Sequence, residues 1–180
     1  MSHPLLSYAP LLVLLAWAAI GDVRYRRVPN WLTMLIMVGG VVQSLLPTRT
    51  VSISTSLLGI LAAAAVPLVL FAIGAVGGGD VKLMAGVGAW VGPAPAFAIL
   101  LLEKIIGLLI VLGQAALQGR TRVLLRNSAV VAVNLLYVKE VGLDHASQTG
   151  RSCRSVDKPL PLAVPVLVAA AIVVLRVGSH

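Results

Sequence analysis

The sequence predicts an all-α, polytopic membrane protein of about six transmembrane helices, forming one membrane-embedded domain over residues 1–180. Three observations predict it. Of the 180 residues, 59% are apolar and 11% are charged, against about 45–50% and about 25% in an average soluble domain. The apolar residues gather in long charge-free runs, and a helix that crosses a bilayer needs about 20 of them. The 14 Lys and Arg outnumber the 6 Asp and Glu, a net charge of +8, and most of them flank those runs, as residues that set membrane orientation do. That placement argues against nucleic-acid binding, the other reading of a basic chain. Six spans and their connections leave no room for a further soluble domain of more than about 40 residues.

The spans follow in order. Pro4–Ile20 is the first, closed by Arg24, Arg26 and Arg27. Because the basic cluster follows this run and Met1–Tyr8 holds no Lys or Arg, it does not read as a cleavable signal peptide. Trp31–Leu46 is the second and Ile53–Val76 the third, where the small residues Ala62–Ala65 allow close helix packing. Leu83–Trp90 begins a fourth, with a turn expected at Gly92-Pro93-Ala94-Pro95, since two prolines within three residues interrupt a helix. The other place for that turn is Glu103-Lys104. Ala96–Gln118 is the fifth span and Pro159–Leu175 the last.

Between the last two lies a basic cytoplasmic loop, residues 119–158, with an apolar island at Ser128–Val138. Eleven residues are too few to cross, so an interfacial helix is expected there. If the Arg24–Arg27 loop is cytoplasmic, that side also receives Lys82 and the 119–158 loop, and holds 11 of the 14 basic residues. Both termini then lie outside, and the number of spans is even.

The carboxylates narrow the function. Glu140, Asp144 and Asp157 read as solvated loop charges. Glu103 and Lys104 sit inside a span, where each charge costs roughly 2.5–3.5 kcal/mol on insertion scales. Either a structural ion pair or a partner-binding role fits them. Asp22 closes the first span and Asp80 follows the third. Two crossings separate them, so both belong at the cytoplasmic boundary. Asp22 stands at the negative end of its own helix, which disfavours an anion.

Two neighbouring carboxylates do not readily both ionise, and a pair sharing one proton can activate a water, one as base and one as acid. Two unrelated interfacial aspartates are the other reading. Gly77-Gly78-Gly79 before Asp80 is a poor helix interior. It predicts an irregular segment that lets an extended substrate reach the acid, or else a hinge. A phosphate loop is discounted, because no Lys-Ser/Thr follows. The lone Cys153 allows neither an intrachain disulfide nor a CxxC zinc site.

Three segments carry a resemblance: Asp22-Val-Arg-Tyr-Arg-Arg-Val-Pro29-Asn30-Trp-Leu-Thr33, Gly77-Gly-Gly-Asp80-Val-Lys82-Leu-Met-Ala-Gly-Val-Gly88-Ala-Trp-Val-Gly92, and Lys158-Pro-Leu-Pro161-Leu-Ala-Val-Pro165. In this order they resemble the signatures of bacterial type IV prepilin peptidases, the GxGD intramembrane aspartic proteases. The resemblance implies an enzyme of the bacterial inner membrane that removes the basic leader of prepilins or pseudopilins at its cytoplasmic face, usually just after a glycine. It implies Asp22 and Asp80 as the catalytic pair, Gly77 and Gly79 as the fixed glycines with Gly78 between them, and no metal or organic cofactor.

Lys82, Arg26 and Arg27 are candidates for tuning the pair or contacting substrate; anchoring at headgroups and setting topology are their other readings. The chain lacks the paired CxxC motifs of longer relatives, so no N-methyltransferase activity is expected, and the short form resembles the tight-adherence (Flp) pilus type. The charged Glu103-Lys104 stands where that family usually has small and apolar residues. The non-enzymatic alternative is a small transporter or channel subunit with Asp22 and Asp80 as ion ligands. A membrane scaffold with structural aspartates is a third reading.

Overall fold

The computed structural model describes residues 4–25, 28–46, 51–72, 76–117 and 163–177. Arg26, Arg27, the 119–158 loop and its Ser128–Val138 island lie outside the described residues. Six helices form the described part and no strand is found among these residues: α1 (Pro4–Tyr25), α2 (Asn30–Gln43), α3 (Ile53–Ala72), α4 (Gly78–Val91), α5 (Pro93–Leu117) and α6 (Ala163–Val177). The all-α class is as expected. Three stretches are long and apolar enough to cross a membrane: Ser7–Tyr25, Ile53–Ala72 and Pro93–Gln114. Asn30–Gln43 and Ala163–Arg176 are shorter apolar helices. The second apolar run stops being helical early because Ser44 closes it, its hydroxyl donating back to the Val41 carbonyl at 2.6 Å.

The outer faces are those of a protein solvated by lipid. On α3, Leu57, Leu58, Leu61, Leu68, Val69 and Phe71 are exposed. A soluble surface rarely shows so continuous an apolar face. The buried stripe of the same helix is Ser56, Gly59, Ala63 and Pro67, small residues at helical spacing that admit a neighbour closely. Of the expected alanine run, Ala63 is the one that turns inward.

That neighbour is α4, the central helix. From Leu83 to Val91 every residue is buried. At 14 residues it is about 21 Å long, short for a span, but it is sheathed by α2, α3 and α5 and so need not match the lipid. Gly59 and Gly88 meet at its crossing with α3, where a Cβ on either would overlap the other's carbonyl oxygen.

Two buried hydrogen bonds pin α4 sideways. The Ser56 hydroxyl donates to the Ala89 carbonyl at 2.7 Å, and the Trp90 indole donates to the Ile36 carbonyl of α2 at 2.8 Å. Ser56→Ala is expected to weaken the α3–α4 contact by about 0.6–1.7 kcal/mol, read as a lower midpoint of unfolding in an SDS titration.

The turn after α4 falls at the expected place. Gly92 has φ 78 and ψ 179, a conformation open essentially to glycine alone. Pro93 and Pro95 then start α5 rather than break it, because the first N–H groups of a helix have no internal partner to lose.

The Gly-rich segment departs from expectation. Gly77 is extended (φ −82, ψ 152), but Gly78, Gly79 and Asp80 already form the first turn of α4. The helix closes there with the Asp80 N–H donating to the Gly77 carbonyl at 3.1 Å. Glycine is tolerated as an N-cap, and in a first turn it disturbs no internal bond.

Candidate active site

Asp22 lies one turn from the end of α1, on the stripe Leu11, Leu15, Ala18 that faces the core, and is itself buried. Its Oδ2 accepts the backbone N–H of Ala163 at 2.9 Å. Ala163 is the first residue of α6, so the Asp22 carboxylate caps α6 from another helix. This corrects the sequence reading, which placed Asp22 only at the negative end of α1. The positive end of α6, contributed from 141 residues away, compensates it.

Asp80 is in the first turn of α4, where an anion is favoured by the dipole of its own helix. Its side chain is 0% exposed. Oδ2 receives the Lys104 ammonium at 3.1 Å. Oδ1 is buried with no hydrogen-bond partner. A buried acceptor left unpaired costs about 1–3 kcal/mol.

Lys104 holds a second carboxylate. Its Nζ lies 2.9 Å from Glu103 Oε2 and 3.2 Å from Oε1, and Glu103 is 1% exposed. The Oε2 contact is an ion pair outside hydrogen-bond geometry. The Glu103–Lys104 pair is therefore not a closed structural unit, since the ammonium bridges Glu103 to Asp80.

The hairpin geometry explains this bridge. Asp80 is twelve residues before Gly92 and Lys104 twelve after it, so on two antiparallel helices both stand about 18 Å from the turn. The equal spacing is the signal in the sequence that would have found it.

The ends of the helices converge. Lys82 donates to Asn30 Oδ1 at 3.2 Å, which sets the start of α4 beside the start of α2, five residues beyond the end of α1. Helix α1 also touches α4 and α6. Asp22, Asp80 and the N-terminus of α6 thus share one end of the bundle. Lys82 engages Asn30 there. Gly77 and Gly79 are exposed at the same end, and a Cβ on either would meet nothing within 4 Å. Among the described residues, no group of three or more His, Cys, Asp or Glu side chains is placed to hold a metal ion.

Comparison with known families bears on what this end of the bundle does. The family model of type IV leader peptidases matches residues 9–112. The chain belongs to the type IV leader peptidase family. The leader-peptidase match runs from α1 into α5 and takes in Asp22, Asp80, Glu103 and Lys104; α6 lies beyond it. No curated protein and no solved structure matches the chain. Membership in a leader-peptidase family, with helices of membrane-spanning length, makes this a membrane protease in general terms and favours that reading over the transporter.

Proposed function

We propose that the chain is an aspartic endopeptidase of the GxGD type, which removes the basic leader of type IV prepilin-like proteins. The observation that carries this reading is the Asp80 carboxylate: fully buried, one oxygen held by an ammonium and the other, Oδ1, without a partner. A second carboxylate, Asp22, stands at the same end of the bundle. Together they fit a pair in which one accepts a proton from water and the other gives a proton to the leaving amine.

The step balances without a covalent enzyme intermediate. The water oxygen bonds to the scissile carbonyl carbon as its proton passes to the ionised carboxylate. The C–N bond then breaks as the protonated carboxylic acid donates to nitrogen. The leader leaves with a new carboxylate and the mature subunit with a new amine. Open space at Gly77 and Gly79 gives an extended substrate backbone a way to Asp80.

The basic residues Arg24 and Lys82 at this end, with Arg26 and Arg27 following in the sequence, support a cytoplasmic site at the inner membrane with both termini outside. A prepilin, an apolar helix with a positive leader, meets such a site at the interface. Co-expression of the full chain with a prepilin-like protein is expected to shorten that protein by the mass of its leader. An intact prepilin mass beside a folded, membrane-inserted chain would overturn the proposal.

A further inference from the structure

We propose that Lys104, held in turn by Glu103, is a positioning residue for Asp80, fixing one carboxylate oxygen so that the other is presented to the attacking water. This deepens the proposed function and rests on it.

The argument starts from cost. Two charges within the apolar run of α5 are each unfavourable by roughly 2.5–3.5 kcal/mol. A pair kept only for packing would be complete as Glu103 and Lys104 alone. Instead the ammonium reaches across the hairpin to Asp80 Oδ2 at 3.1 Å while keeping Glu103 at 2.9 Å. One cation therefore serves two buried carboxylates; Glu103 Oε2, which makes no hydrogen bond, still lies 2.9 Å from the ammonium, whereas Asp80 Oδ1 has no hydrogen-bond partner and takes no part in the ion pair.

An aspartate side chain unheld at both oxygens turns about its terminal torsion, which is broad and roughly two-fold. A charge-assisted bond to one oxygen, about twice as strong as a neutral one, removes that freedom and fixes where Oδ1 points. Glu103 does the same for Lys104, whose four-carbon stem is otherwise mobile.

The other charged groups are few. On α1 there is Asp22, engaged with Ala163, and the exposed Arg24. On α4 there is Lys82, engaged with Asn30. Helices α2 and α3 carry no Lys, Arg, Asp or Glu, and Arg176 of α6 lies at the opposite end of that helix. Lys104 is the one cation that the structure puts on Asp80 among the described residues.

The test uses the full chain in proteoliposomes with a prepilin-like substrate, comparing Lys104→Met, Lys104→Arg, Glu103→Gln and the double variant Glu103→Gln/Lys104→Met, with Asp80→Asn as reference. Lys104→Met is expected to lower kcat by about 10²-fold, the scale of a misplaced reacting group, with KM unchanged, and Lys104→Arg to recover most of that loss. Glu103→Gln is expected to lower kcat less, and to add nothing once Lys104 is Met, because Glu103 acts through Lys104.

The double variant removes both charges together, so it leaves no lone carboxylate on α5 and carries the same test if Lys104→Met fails to accumulate. A folded Lys104→Met or double variant with wild-type kcat, or with only KM raised, overturns the inference provided that Asp80→Asn is inactive. If Asp80→Asn processes normally, the underlying aspartic mechanism is what fails.

Discussion

Asp80→Asn is expected to stop leader removal while leaving the chain folded and inserted. Asn has nearly the volume of Asp and keeps one oxygen for the Lys104 ammonium, so the α4–α5 bridge survives. It loses the ability to take a proton from water at the position of Oδ1. General acid–base groups contribute about 10²–10⁴-fold, and here half of a mutually dependent pair is removed, so the loss belongs at the upper end of that range.

Asp22→Asn has the same expected effect on cleavage. Its amide oxygen still accepts the Ala163 N–H, so α6 stays capped. Asp22→Ala removes the cap as well and is expected to cost a further ~0.5–2 kcal/mol of stability. Mass spectrometry of a co-expressed prepilin reads cleavage, and the membrane fraction reads insertion. Full processing by either Asn variant defeats the catalytic assignment.

Gly88→Val is expected to have the largest effect on folding. Any Cβ at Gly88 overlaps the Gly59 carbonyl and comes within 2.7 Å of the Ala63 methyl. Overpacking that side chains can relieve costs about 1–3 kcal/mol. Here the obstacle is backbone, so α3 and α4 must separate, and the Ser56–Ala89 hydrogen bond goes with them.

The variant is expected to fail to accumulate, or to be degraded where wild type is resistant in limited proteolysis. Gly79→Ala is the control: its methyl enters open space, and the protein should accumulate normally. Equal accumulation of both variants would show that the Gly59–Gly88 crossing does not limit the fold.

Much of this was legible in the chain. Charge-free runs gave the long helices, and Gly92 with its two prolines gave the turn before α5, because both signals are local. The first turn of α4 is not legible in the same way: three glycines look like a broken helix until their position at its very start is known. The partner of Asp22 was hidden because the N–H it accepts belongs to a residue 141 positions away, and a backbone donor has no sequence signature. The partner of Asp80 was hidden differently. Lys104 stands out in the sequence by its cost inside a span, but its neighbour Glu103 offers a sufficient local partner. Only the register of the α4–α5 hairpin, set by Gly92, reveals the longer reach.

The sheath around α4 has a consequence for the lipid. When acyl chains lengthen or shorten, hydrophobic mismatch is taken up by tilt and local deformation at whichever helices meet the bilayer. The exposed apolar faces belong to α1, α2, α3, α5 and α6, not to the walled-in middle of α4. Asp80 rides on a post whose height is measured against protein, through Ser56 and Trp90, so its depth follows the bundle rather than the thickness of the surrounding membrane.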